Sequence, residues 1–252
     1  MKTPNLRSID RAHPRSSARK IRRRPVQHDL SFRTWGGKRA NSGRKPKNGR
    51  ACVPHRVRPE HKDYQPVHVT MRAARRLGSL RRQSVFVAMR RALGKASRVW
   101  FRVVHFSVQA DHVHLMVEAD DRVRLSRGMA GLAIRVARAV NRVLRRRGRV
   151  WNDRYHARAL RSPREVRHGL VYVVMNWRKH VPGARGFDPC SSAFWLDGWR
   201  HGQRPPGPTD LTRGLEEAFE PPVQPPSTWL ASKGWRRHGL VRIDEHPTPA
   251  AR

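Results

Sequence analysis

Cysteine is scarce in this chain of 252 residues, which contains only Cys52 and Cys190. Two cysteines so far apart exclude a disulfide framework and a four-cysteine zinc site, and they favour a reducing compartment. Long apolar runs and a secretory signal are lacking too, so we expect neither a membrane span nor a membrane partner. The expected location is cytoplasmic.

Acidic residues are also few, since 18 Asp and Glu stand against 55 Lys and Arg, which gives a net charge of +37. Such an excess suits a polyanion, and nucleic acid is the default partner because each neutralised phosphate releases counterions. Arginine-rich composition is also common in proteins encoded by GC-rich genomes. The charge therefore indicates a class of partner and a nucleoid-associated location, and it indicates no activity.

The first 62 residues lack the pattern of a packed domain. Through Glu60 they contain 18 basic and 3 acidic residues, with few periodic apolar positions, so we interpret residues 1–62 as a flexible basic DNA-binding arm. Gly43-Arg-Lys-Pro46 resembles the core of an AT-hook, which lies in a narrow minor groove. Generic phosphate contacts explain the arm equally well. The candidate DNA contacts in the arm are Lys38, Arg39, Arg44 and Lys45.

The last 50 residues are rich in proline, with seven prolines between residues 205 and 226. This density predicts a loosely structured, flexible tail over residues 203–252, with a short docking segment around Trp229 to Trp235.

The middle of the chain, residues 63–202, has the periodicity of a folded domain. Apolar residues alternate in four short segments and recur at helical spacing in three others. The predicted elements are a strand at Pro66–Met71, a helix from Ser79, a strand at Trp100–Gln109 that alternates Val104, Phe106 and Val108, a strand over 111–119, a helix over Leu125–Leu144, a strand within Arg149–Leu160, and a helix opening at Ser162-Pro163. The first six match an α+β, ferredoxin-like split βαβ plan, an antiparallel sheet with helices on one face.

Two histidines occupy alternate positions in one predicted strand, as His112-Val113-His114. Alternate side chains of a strand share a face, so both imidazoles point the same way, off the core. Two such imidazoles on an open sheet face can bind one divalent metal ion. A strand with two solvated histidines is the competing interpretation.

Only three tyrosines occur, and Tyr172 lies in the last predicted helix four residues before Asn176. That spacing puts both on one helical face, where they can supply a nucleophile and a third metal ligand above the histidine strand. A phenol is a poor nucleophile near neutral pH, and a divalent cation beside a scissile phosphate stabilises the developing charge. Taken alone, Tyr172 also fits a packed helix tyrosine.

From Tyr64 to His180 these motifs, with the aromatic and basic segment Arg149–His156, resemble the single-tyrosine HUH transposases (IS200-like) and their REP-associated tyrosine transposase branch. The resemblance implies that His112, His114 and Asn176 bind Mg²⁺ or Mn²⁺. It implies that Tyr172 attacks single-stranded DNA, often at a folded hairpin, and that cleavage yields a 5′-phosphotyrosine and a free 3′-OH. Further DNA contacts are expected from Arg154, Arg158, Arg178 and Lys179.

This chain departs from the branch at two positions, because Trp177 replaces a usual proline and Val174 replaces a common histidine. Two other function classes remain open: a domesticated DNA-binding protein that keeps the fold without transposition, and an RNA- or ribosome-binding protein. No KH-type glycine loop or RRM aromatic motif supports the RNA hypothesis. Family members include monomers and homodimers, so the oligomeric state stays open.

Overall fold

The computed structural model describes residues 60–181, 183–203 and 221–247. The predicted arm contacts at Lys38, Arg39, Arg44 and Lys45, and the segment Gly43–Pro46, lie outside the described residues.

Four strands and three main helices follow one another as predicted in the part of the chain that the structure describes. In chain order the elements are β1 (Val67–Arg72), α1 (Gln83–Gly94), β2 (Phe101–Val108), β3 (His112–Ala119), α2 (Arg122–Val143), β4 (His156–Ala159), α3 (Pro163–Val174), a 3₁₀ turn at Asn176–Lys179, a second at Ala193–Trp195, α4 (Trp229–Ser232) and a third at Gly234–His238. The predicted order β-α-β-β-α-β-α is confirmed.

The four strands form one sheet in the order β2-β3-β1-β4, with every neighbouring pair antiparallel. β3 therefore lies between β1 and β2, which is the ferredoxin-like split βαβ arrangement. The fold class predicted from the sequence, α+β with an antiparallel sheet, is confirmed. No helix among the described residues combines the length and apolarity needed to cross a membrane.

α1 and α2 pack together on one face of the sheet, as predicted. Leu115 of β3 and Met129 of α2 are fully buried in this layer, together with Phe106 of β2. α3 lies on the opposite face, where Leu170 packs with Met116 of β3. The sheet is thus covered on both faces, because a third helix follows the split βαβ unit.

A β-bulge in β2 changes which side chains face which layer. The register with β3 shifts between Val103 and His105. As a result Val104 belongs to the layer with α3, while Phe106 belongs to the layer with α1 and α2. The simple alternation predicted for Val104, Phe106 and Val108 is therefore wrong at Val104, because the extra residue of a bulge reverses the facing.

Two helix starts test the predicted capping residues. α3 begins as expected: Ser162 Oγ accepts from the backbone N–H of Glu165, and the Glu165 carboxylate accepts from that of Arg161, which resembles a capping box. α1 begins at Gln83 and not at Ser79, and its preceding residue makes no capping bond with its side chain. Ser79 Oγ instead accepts from the N–H of Arg81, within the turn before α1.

The C-terminal residues 230–241 pack against the α3 face, while Val223 before them packs in the layer with α1 and α2. The Trp235 side chain is 1% exposed, and a Cβ at Gly198 would lie 2.2 Å from its ring, so the ring rests on the backbone there. The expectation of a loosely structured tail is wrong for this segment. Prolines restrict helix formation but leave an extended chain free to pack, and Leu230, Trp235 and Val241 provide the apolar contacts. The predicted docking segment from Trp229 to Trp235 forms α4 and the start of the third 3₁₀ turn.

Candidate active site at the histidine strand

His112 and His114 lie on the same face of β3, with ring centroids 4.8 Å apart. The shared face expected from the alternation is therefore present. The face is not open, however, since the two residues are 8% and 5% exposed and every residue of β3 is buried. α3 covers this side of the sheet, so both the open face and the solvated-histidine interpretation are wrong.

The Nδ1 atom of each histidine already has a protein partner. His112 Nδ1 donates to Asp111 Oδ1 at 2.6 Å. His114 Nδ1 lies 3.1 Å from Thr70 Oγ1 and 3.2 Å from His68 Nε2. Metal-binding histidines are commonly oriented by such bonds at the second ring nitrogen. Nε2 is thus the nitrogen of each ring that is left for a further ligand.

Burial holds His114 and His68 in their neutral form. Burial lowers the pKa of His114 to about 2, and the neighbouring His68, His112 and His180 rings act in the same direction. Burial also lowers the pKa of His68 to about 4. Neutral imidazole is the form that binds metal ions, so the state of His114 is compatible with a metal ligand.

Tyr172 of α3 meets the histidine strand. Its ring centroid lies 5.1 Å from that of His114 and 5.3 Å from that of His68, both in edge-on geometry. Lys179 Nζ lies 4.3 Å from the centre of the same ring. The structure therefore brings together the phenol and the histidine pair, which are 58 or more residues apart in sequence.

Asn176 does not lie on α3, because that helix ends at Val174 and Asn176 begins the following 3₁₀ turn. The expectation of one continuous helical face for Tyr172 and Asn176 is wrong. Asn176 is nevertheless 0% exposed, and neither its Oδ1 nor its Nδ2 has a hydrogen-bond partner among the described residues. An unsatisfied buried amide costs about 1–3 kcal/mol. Such a group fits a side chain that awaits a ligand.

The side chains near the histidine pair leave room for Asn176 as a third metal ligand. Within residues 60–181, 183–203 and 221–247, no three His, Cys, Asp or Glu side chains converge on one metal position. A third protein ligand beside His112 and His114 would then be a side chain of another type. A carboxamide oxygen such as Asn176 Oδ1 suits Mg²⁺ or Mn²⁺.

The four basic residues predicted to contact DNA from the described part of the chain differ in environment. Lys179 is exposed and lies at the tyrosine ring. Arg158 pairs in register with His68 across β1 and β4, and its guanidinium donates to Glu165 at 3.0 Å. Arg154 is half-buried, and Arg178 has a buried Nε without a partner among the described residues.

Sequence reasoning missed four residues of this site, namely His68, Thr70, Asp111 and His180. His180 is exposed, and its ring centroid lies 5.1 Å from that of His112. The sequence does indicate that His68 and Thr70 share one strand face, because they alternate with Val67 and Val69 in β1. The pairing of Thr70 with His114 follows only from the sheet register.

Residues 63–167 match the model of a family described as transposase IS200-like. The match stops short of Tyr172 and Asn176. Among solved structures, one described as a REP-associated tyrosine transposase bound to a REP hairpin is similar at 20% identity, with a TM-score of 0.43, over 51% of this chain and 74% of that chain. A comparison with curated proteins finds no significant match. The resemblance identified from the sequence is thus confirmed at the level of the family.

Proposed function

We propose that this protein is a metal-dependent endonuclease and strand transferase that acts on single-stranded DNA through Tyr172. The observation that carries the proposal is the position of the Tyr172 ring, 5.1 Å from His114 on the buried face of β3. A half-buried phenol beside two imidazoles that are oriented by hydrogen bonds suits metal-assisted attack on a phosphodiester better than it suits helix packing alone.

His112, His114 and Asn176 are the residues that would hold Mg²⁺ or Mn²⁺. When bound, the ion supplies polarisation of the scissile phosphate and stabilises the charge that develops on it. Asp111 orients His112, while Thr70 and His68 orient His114. These contacts fix which ring nitrogens face the ligand.

Tyr172 would supply the nucleophile. Its phenol loses a proton, and the oxygen forms a bond to phosphorus while the bond from phosphorus to the 3′ oxygen breaks. The leaving oxygen takes up a proton and becomes a free 3′-OH, and the 5′ phosphate stays on the tyrosine. The bond energy is retained in the phosphotyrosine, so strand transfer needs no nucleotide cofactor. The Lys179 ammonium, 4.3 Å from the centre of the ring, would attract a phosphate bound beside the tyrosine.

The proposed substrate is single-stranded DNA that carries a hairpin, of the REP-like kind. The family resemblance and the net charge of +37 support a polyanionic DNA partner. The proposal covers cleavage at such DNA; a protein that binds it without cutting is the alternative.

Covalent trapping tests the tyrosine directly. A suicide oligonucleotide with a hairpin is incubated with Mn²⁺, and peptide mass spectrometry should find the adduct on the peptide containing Val171, Tyr172 and Val173. Tyr172→Phe should abolish the adduct and retain DNA binding. The matched control Tyr64→Phe, at an exposed position, should form the adduct normally. An adduct elsewhere, or cleavage without any adduct, contradicts the mechanism, and binding without cleavage supports the alternative.

The histidine pair is tested by metal binding as well as by cleavage. In His112→Ala and His114→Ala, Mn²⁺ affinity measured by calorimetry should fall and cleavage should be lost. DNA affinity should change little, because phosphate contacts from many arginines supply most of it. A double alanine variant that binds Mn²⁺ and cuts like the wild type refutes the assignment.

A further inference from the structure

The outer face of α2 is basic, although three apolar residues, Val123, Ile134 and Val143, are also exposed on this helix. The helix contains no acidic residue over its 22 residues, which span about 33 Å at about 1.5 Å per residue. Its exposed side includes Arg127, Arg138 and Arg142, and among the described residues none of the three forms an ion pair. The buried side of the helix faces the sheet through Leu125, Met129, Leu132, Val136 and Val140.

This surface is separate from the active site. α2 packs on the sheet face that carries Val113, Leu115 and Val117, whereas His112 and His114 point from the opposite face of the same strand. A ligand on the outer side of α2 is therefore separated from the Tyr172 site by the sheet itself.

The chemistry of the α2 surface suits double-stranded DNA. Sequence-tolerant binding of single strands relies on aromatic side chains for base stacking, and α2 contains none. Guanidinium groups bind phosphate oxygens in bidentate geometry. Between the arginines lie the small exposed residues Ala130 and Gly131, beside the exposed Ile134, and a Cβ added at Gly131 would meet nothing within 4 Å. A phosphate backbone can therefore approach this part of the helix closely.

We propose that the outer face of α2 binds the sugar-phosphate backbone of double-stranded DNA through Arg127, Arg138 and Arg142. The inference rests on the proposed function, since it assigns the paired part of the DNA to α2 while the unpaired strand is cut on the other face. A second copy of this chain suits the surface less well, because two arginine-rich helices repel each other.

Gly131 offers a sharp test, because a side chain there is placed in open space. Gly131→Glu and its neutral match Gly131→Gln should both fold, since each improves helix propensity. In the full-length protein, Gly131→Glu should weaken binding of a short blunt-ended DNA duplex on the order of tenfold, and Gly131→Gln should not. Adduct formation by Tyr172 on a short unpaired oligonucleotide should be equal in both variants.

The arginines are tested by the salt dependence of duplex binding. The triple variant Arg127→Gln, Arg138→Gln and Arg142→Gln should lower the slope of log affinity against log salt by about 2.7, at about 0.9 for each lost phosphate contact. A control triple variant removes the same charge from exposed arginines outside α2, at Arg164, Arg185 and Arg200, and should leave the slope nearly unchanged.

Equal losses in the test and control variants would overturn the proposal. The proposal would also be overturned if the α2 variants lost as much affinity for single-stranded DNA as for the duplex, or lost affinity only for double-stranded RNA. A changed oligomeric state with unchanged duplex affinity would overturn it as well. Failure of the Tyr172 adduct in the wild type would refute the proposed function alone, because duplex binding is measured without cleavage.

Discussion

Replacement of Glu118 by leucine should release the C-terminal segment from the sheet. The Glu118 carboxylate is 2% exposed and lies at the end of the histidine strand. It accepts four hydrogen bonds, from the backbone N–H and the hydroxyl of both Ser227 and Thr228, at 2.7 to 3.0 Å. Thr228 also caps α4 through the N–H of Ala231, so the contact fixes the start of that helix.

The size of the effect follows from which donors are left without a partner. Ser227 is exposed, so water can replace the carboxylate for its two donors. Thr228 is 7% exposed, and each of its two donors left unsatisfied costs about 1–3 kcal/mol. Burial of the Glu118 carboxylate itself destabilises the folded state, so its removal offsets part of that cost. We expect a net loss of about 2–4 kcal/mol for Glu118→Leu and less than about 1 kcal/mol for the control Ser227→Ala.

Hydrogen exchange read by mass spectrometry is the suitable assay, together with urea denaturation. Peptides between residues 228 and 241 should lose protection in Glu118→Leu, while those of β1 and β2 should lose less. In Ser227→Ala the protection should stay near that of the wild type. Full protection of the C-terminal peptides in Glu118→Leu would show that the carboxylate contributes little to holding the segment.

Two further predictions concern stability. Gly128→Ala should destabilise the protein by about 1–3 kcal/mol, because its Cβ would lie 2.2 Å from the buried Phe101 ring. Gly131→Ala on the same helix should stabilise the protein by up to about 1 kcal/mol. Equal melting temperatures of the two variants would contradict this prediction. Burial lowers the pKa of His105 to about 4, so its contribution to stability should be full above pH 6.5 and should fall by on the order of 3 kcal/mol as the pH drops from 6.5 to 4, in addition to the losses from His68 and His114, whose pKa values are also lowered. His105→Gln should flatten that decline in urea denaturation, and an unchanged pH profile would refute the assignment.

The features that the sequence predicts well are those with local periodicity. The alternation in β3 identifies the shared face of His112 and His114, and helical spacing identifies the buried side of α2, because both depend only on residues close in the chain. The short hairpin turn between β2 and β3 is equally local. These patterns suffice for the split βαβ order and for the place of the histidine pair in it.

The features that the sequence does not predict depend on contacts across the fold. The bulge at Val103 is visible only in the register with β3, and it moves Val104 to the other layer. His68 acquires its role only when β1 pairs beside β3. The end of α3 at Val174 moves Asn176 off the helix, although the apolar pattern alone allows the helix to continue.

The C-terminal segment joins the two elements that carry the proposed active site. Near its start it is held by Glu118, on the strand that carries the histidines. Near its end it is held by Arg167, five residues before Tyr172 on α3. That guanidinium donates to both carboxylate oxygens of Glu245, at 2.6 and 2.9 Å, and to the carbonyl oxygens of Gly239 and Leu240.

α3 packs on one face of the sheet, and the C-terminal segment is bonded both to α3 and to β3. This connection restricts how far Tyr172 can move from the histidines. A displacement of about 1 Å is enough to reduce catalysis strongly when the reacting groups must be aligned. We therefore infer that the functional domain extends beyond residue 202 and includes residues 221–247. Loss of Tyr172 adduct formation in Glu245→Gln, with Mn²⁺ affinity at the histidines retained, would support this inference, and normal adduct formation would oppose it.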